Sequence, residues 1–249
     1  MDLYEKYMDG ETELTCKELL ELEDQIYDTK VFFEVDKVLT EIFSRVAYNS
    51  EIIFKELKDI HYCFWSDSEL NRSFPIRKPP PNSNNFLTKV EFEVKQFGHI
   101  PLSLSYFYSI VGSLNFTWNY EKKEEVKWPG IDPLQIIAID DLYDQVTNKY
   151  WKEEMLDYLK DEDYNSAILE LSGDYLHKDN ISGGPPYSIK ITKKPSIDSL
   201  ILNLPDKLGF IDYLRICFEN CGFYRVNGLN SNPEFIKFVD KVKPNLKKI

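Results

Sequence analysis

The stretch HIPLSLSYFYSIVGSLNFTWNY, residues 99–120, decides the class of fold. Pro101 suits the first turn of a helix, because its missing N–H has no partner there in any case and its φ is already helical. Leu104, Phe107, Tyr108 and Val111 then recur at the spacing that puts them on one helical face. Gly112 supplies a stop, and the aromatic run LNFTW that follows reads as a strand. A helix passing into a strand across one glycine requires mixed architecture, with Phe107, Tyr108 and Val111 packed against a sheet. Packing alone accounts for the whole pattern.

Downstream, the runs LQIIAI, SAILEL, YSIKI and SLILN are short, apolar and separated by Pro, Gly and Asp turns. They predict an α+β fold, with a mostly antiparallel sheet of about five or six strands packed against helices. Trp151, Met155, Leu156 and Tyr158 mark a helix between the second and third runs. PDKLGFIDYLRICFENCGF predicts a late helix ended by Gly222, and PEFIKFVDKV a last one opened by Pro233. Upstream, Thr15 followed by Glu18 forms a capping-box pattern that predicts a first helix near 16–28. Phe32, Val35, Leu39, Ile42, Phe43 and Val46 extend the helical stripe, and Ser50 suits the cap of a further segment carrying Ile53, Phe54, Leu57 and Ile60. That stripe is too wide to stay in water, so the N-terminal helices are expected to dock on the rest. SFPIRKPPPNSNN, with three consecutive prolines, marks a loop or linker over 66–85. In FLTKVEFEVKQFG the apolar residues fit both a strand and a helix, and Gly98 before Pro101 favours a helix stop.

The chain of 249 residues is 43% hydrophobic and 14% aromatic, enough to bury a core packed largely with rings. Its formal charge of −12 opposes nucleic-acid binding, which draws its affinity from Lys and Arg displacing condensed counterions. Residues 1–28 hold ten acids and two lysines, whereas residues 237–249 carry five lysines against Asp240, so the two ends have opposite signs. No apolar run of membrane-spanning length and no hydrophobic leader core is present, and the four cysteines are scattered, which together predict a cytoplasmic protein.

The search for chemistry finds little. His61, His99 and His177 are far apart, and no zinc-protease motif, P-loop or dinucleotide fingerprint occurs. Cys217 and Cys221 share a helical face, but a zinc site needs two further ligands. Asp140, Asp141 and Asp144 follow an apolar run, where catalytic carboxylates often sit, yet the same spacing suits a helix N-terminus that favours negative charge. Gly183 and Gly184 in HKDNISGGPPY read as a hairpin loop before a phosphate nest. No catalytic, cofactor or metal residue is assigned and no cofactor is expected. Trp118, Tyr120 and Trp128 flank the charged run EKKEEVK as large aromatics do at interfaces, and they are the candidate partner-binding residues, with a core role for the same rings as the alternative.

The order of these elements resembles the SUKH superfamily of α+β proteins, which includes bacterial toxin-immunity proteins and fungal cell-wall regulators. IPLSLSYFYSIVGSLNF resembles its proline, helix, aromatic pair and glycine before a strand. DPLQIIAIDDLYD resembles its second strand and turn, and SGGPPYSIKI and FIDYLRICFENCGF its later hairpin strand and closing helix. The chain departs from the family in having Gly112–Ser113 where a glycine pair is usual, and in a longer, more helical segment at 141–165. The resemblance covers 86–226, leaving a helical segment at 1–65 before the 66–85 loop and a helix with basic tail at 227–249. It implies a non-enzymatic binding protein, expected to neutralise a toxin by binding it. The acidic charge suits a basic toxin domain as the protein partner, with no nucleic acid and no membrane involved. The sequence assigns no oligomeric state. The alternatives are a regulatory scaffold of the same fold and a hydrolase using Asp140, Asp141 or Asp144 with His177.

Overall fold

The structure, a computed structural model, describes residues 2–249 apart from 23–24, 27, 66–74, 121–127, 129, 162–163 and 182. In chain order it runs α1 (Leu3–Met8), α2 (Thr12–Leu20), α3 (Thr29–Asp59), β1 (Ile76–Arg77), α4 (Ser83–Val94) and α5 (Leu102–Tyr106), the last passing into a π-helical turn at Phe107–Val111. There follow β2 (Ser113–Asn115), β3 (Asp132–Pro133), β4 (Gln135–Ile136), α6 (Ile139–Thr147), α7 (Lys149–Tyr158) and β5 (Ile168–Ser172). The remainder is α8 (Tyr175–Lys178), β6 (Tyr187–Lys190), β7 (Leu200–Leu202), β8 (Leu208–Gly209), α9 (Phe210–Glu219), β9 (Phe223–Arg225) and α10 (Pro233–Val242).

The expected strands form, but not as one sheet of five or six. They make an antiparallel three-stranded sheet in the order β1-β2-β4, a β3-β9 pair, and an antiparallel four-stranded sheet in the order β5-β6-β7-β8. The division has a physical cause. After Ile136 the chain gives a single ladder-like bond, from Ile137 N to Leu171 O at 2.9 Å, and then turns into α6. The outer edge of β5 is satisfied instead by side chains. Gln145 accepts from Glu170 N at 3.1 Å and donates to Glu170 O at 3.4 Å, while Trp151 Nε1 donates to Ile168 O at 3.2 Å. An edge strand covered by helical side chains cannot template a further strand.

The N-terminal part differs in its boundaries. The stripe from Val35 onward belongs to one helix of 31 residues, roughly 46 Å long at 1.5 Å per residue. Asp28 caps it, accepting from Lys30 N at 2.8 Å. Ser50 is therefore not a cap: it lies buried within α3, where its hydroxyl donates to Val46 O at 2.8 Å. Thr15 likewise sits inside α2, not at its start, and bonds back to Glu11 O at 2.8 Å. Of the 66–85 loop, residues 66–74 fall outside the described residues, 76–77 form β1, and Ser83 already opens α4. The ambiguous run after it is helical.

Phe107, Tyr108 and Val111 are buried as expected, but the rings around Phe107 come from helices and not from the sheet. Phe43 of α3 lies 6.3 Å from Phe107 between ring centres, and Phe210 of α9 lies 5.5 Å away, both edge-on. Leu39, Ile42 and Phe43 have no exposed surface, so α3 is docked into the same core as the 99–120 stretch. Gly112 makes the joint possible. Its φ is +96°, and a Cβ there would stand 2.1 Å from Arg77 O, so no other residue can turn this corner beside β1. A second aromatic cluster joins Trp128 to Phe235 and Phe238 of α10, at 5.0 and 5.2 Å. Among the described residues, no helix is long and apolar enough to cross a membrane.

Candidate functional site

Two adjoining cavities, of about 320 and 420 Å³, lie where the three-stranded sheet meets the loop after β5, and both include Gln135 and His177 in their walls. The first is the better defined chemically. Its walls carry the apolar groups of Trp65, Tyr120 and Ile181 and the polar side chains of Asn115, Thr117 and Asn180, of which Thr117 is buried and Asn180 exposed.

Each side chain is placed by local structure. Trp65 is held beside β2 because its N–H donates to Thr117 O at 2.7 Å, while Asn119 N donates to Cys63 O at 2.8 Å. This short antiparallel pairing continues through the Phe64–Trp118 bridge. Asn115 Oδ1 accepts from Thr117 N at 3.0 Å. Gln135 Oε1 accepts from Ser172 Oγ and Gly173 N, both at 3.2 Å, and so ties the two sheets at the cavity floor. On the opposite wall Asp174 caps α8, accepting from His177 N at 2.8 Å, and its other oxygen accepts from Gly184 N at 2.9 Å. The glycines expected to form a hairpin loop do a tighter job: a Cβ on Gly183 would stand 2.9 Å from His177 Nδ1, so this backbone packs directly on the imidazole. Ile181 projects outward and is 68% exposed.

Beneath the cleft lies a buried ion pair. Lys178 Nζ donates to Asp132 Oδ1 at 2.7 Å and to Pro133 O at 2.9 Å, and Tyr187 OH donates to Asp132 Oδ2 at 2.7 Å. Both charged side chains are 1% exposed, so each is compensated by the other and by these bonds. Burial, and then the Asp132 charge, pushes the Tyr187 hydroxyl well above its usual pKa. Neighbouring Asp179 is raised to about 6, by burial first and then by Asp132, with the Gly130 N–H opposing. These groups set the α8 loop in place.

The other sequence candidates fall elsewhere. Trp118 and Trp128 are 4% and 1% exposed, which is the core alternative for these rings, whereas Tyr120 is half-buried and lines the first cavity. The charged run at 121–127 lies outside the described residues. Asp140 forms a two-pronged ion pair with Arg77, at 3.0 and 2.7 Å, linking α6 to β1. Asp140 and Asp141 occupy the first turn of α6, Asp144 is exposed, and none of the three lines the cavities that His177 lines. Cys217 and Cys221 are free and buried. Burial raises both thiols, Cys221 to about 12, which keeps them protonated and unreactive. Among the described residues no three His, Cys, Asp or Glu side chains form a metal-binding group.

Trp65, Asn115, Thr117, Gln135 and Asn180 were not legible as site residues, because they come from four separate segments and follow no spacing rule. Comparison with family models, curated proteins and solved structures gives no match.

Proposed function

We propose that this chain is a cytoplasmic protein-binding protein of the SUKH immunity type, which neutralises a basic toxin domain by seating part of it in the Trp65–Tyr120–Ile181 cleft. The observation that carries this reading is the cleft's composition: two aromatic rings and an exposed isoleucine side by side with amides and a hydroxyl. Interfaces concentrate their energy in such central pockets, filled by an anchor side chain of the partner. The overall charge of −12 favours fast encounter with a basic partner.

The test uses the toxin encoded beside the gene, with cell survival and complex formation as readouts. Ile181→Asp places a charge on the exposed rim, where it leaves the core untouched. It is expected to abolish protection and weaken the complex at least tenfold, with an unchanged melting temperature. Undiminished protection by this variant removes the cleft from the function, and protection against no neighbouring toxin removes the immunity reading. A regulatory scaffold is then the remaining member of the pair.

A further inference from the structure

We infer that Asn227, in the turn that joins β9 to α10, is a site of spontaneous deamidation to aspartate and isoaspartate, with water as the co-reactant, and that isoaspartate there loosens α10. Asn227–Gly228 is the one Asn-Gly step in the chain. Leu229 N donates to Val226 O at 3.1 Å, and Gly228 stands at φ +78° and ψ −6°, so residues 226–229 form a type II turn with Asn227 and Gly228 at its centre. Both central residues are exposed, and neither the Asn227 carboxamide nor the Gly228 N–H has a hydrogen-bond partner among the described residues. A Cβ built on Gly228 would meet nothing within 4 Å, so no neighbour crowds this peptide bond.

The chemistry needs only these two residues. Hydroxide takes the proton from the Gly228 backbone nitrogen, which then attacks Asn227 Cγ. The N–Cγ bond forms, the Cγ–Nδ2 bond breaks, and Nδ2 leaves as ammonia after taking a proton from water, which returns the hydroxide. The product is a cyclic imide, and the lack of a Cβ on Gly228 leaves room for the ring. Water opens it in either of two ways: breaking the new N–Cγ bond gives aspartate, and breaking the original peptide bond gives isoaspartate, whose main chain runs through Cβ and Cγ. The net exchange is water in and ammonia out, with no oxidation or reduction. The turn sets the rate. A type II turn holds the Asn227 ψ at about +120°, and ring closure requires rotation away from it, so the Leu229–Val226 bond must open first. On either side the chain is anchored, by the pairing of Arg225 with Asp132 and by the burial of Leu229. Isoaspartate therefore adds a main-chain bond between two fixed points. Beyond Leu229 lies α10, whose Phe235 and Phe238 pack on Trp128, so the longer turn loosens the cover of that ring.

The full chain is aged in mildly alkaline buffer, digested, and followed by mass spectrometry at each asparagine, with isoaspartate counted by enzymatic carboxyl methylation. Conversion at Asn227 is expected to be about tenfold faster than at any other asparagine of the folded chain, a barrier lower by about 1.4 kcal/mol. It should slow in mildly acidic buffer and quicken in the urea-unfolded chain, where the turn is open. Asn227→Gln should abolish it, because the longer side chain would have to close a larger ring, while its place in the turn makes no demand for positive φ. The isoaspartate form, separated by chromatography, should unfold at a lower urea midpoint than the fresh chain. Asn227→Asp adds the charge without the extra main-chain bond and should keep the midpoint of the fresh chain. Conversion at Asn227 no faster than at other asparagines, or undiminished in Asn227→Gln, overturns the site. Equal rates in the folded and unfolded chains overturn control by the turn. An isoaspartate form with the midpoint of the fresh chain, or an equal loss in Asn227→Asp, overturns the link to α10.

Discussion

Phe107 touches rings from two helices and has no exposed surface, so its removal leaves a cavity that neither helix can close alone. Phe107→Ala should cost about 3–5 kcal/mol, read from urea unfolding. Trp128→Ala should cost a similar amount, because Trp128 is buried among four rings; an unshifted midpoint for either variant contradicts its placement. A pH effect belongs at this scale too. Asp198 accepts from Ser103 Oγ at 2.6 Å and Ile211 N at 3.0 Å, but loss of water around its carboxyl outweighs these bonds and raises its pKa from 3.8 to about 6. The folded chain thus holds a proton that the unfolded chain has released between those pH values. The contribution is complete below about pH 4 and is lost as the pH rises through about 6. Asp198→Asn lacks this titration, so its stability relative to the wild-type chain should climb from pH 4 to pH 7. Parallel urea-midpoint profiles across that range would show that Asp198 does not titrate as described.

At the scale of elements, the long α3 organises what surrounds it. Its Asn49 is fully buried and holds the C-terminal segment by both faces of its amide, donating to Lys247 O and accepting from Lys247 N, each at 2.8 Å. Asn49→Ala strands those backbone groups and should cost about 1–3 kcal/mol, while opening residues 243–249 to carboxypeptidase. The pair of Lys248 with Glu13, at 3.0 Å, joins the oppositely charged ends of the chain, but both side chains are more than half exposed. Lys248→Gln should therefore change stability by less than about 1 kcal/mol. Equal protease sensitivity of the two variants would mean that charge, not the buried amide, holds the tail.

Across the whole molecule, one apolar cluster runs from Leu19 of α2 through α3 to Phe238 of α10, so the first 65 residues are part of the packing of everything that follows. A fragment of residues 86–249 loses Leu39, Ile42, Phe43 and Val46, all without exposed surface in the intact chain. It should show no cooperative thermal transition by calorimetry. A fragment that unfolds cooperatively, at a temperature near that of the full chain, would show the helical segment to be an appendage.

The sequence by itself determined the helices after Pro101 and Pro233 and the strand after Gly112, because apolar spacing and those signals act over a few residues, but it left 86–98 open between helix and strand and read a loop where β1 lies. It misplaced Thr15 and Ser50, since a hydroxyl that caps one helix serves equally to bond back inside another, and neighbours four residues away do not distinguish the two. Only the tertiary structure decided how the strands divide into sheets, because that depends on Gln135, Gln145 and Trp151 reaching edges that lie far away in sequence. It also decided which aromatic rings meet water. Trp118, Tyr120 and Trp128 look alike as letters, yet α10 covers Trp128 while Tyr120 is left beside Thr117 and Ile181. Burial is a property of what packs on a side chain, and no local pattern carries it.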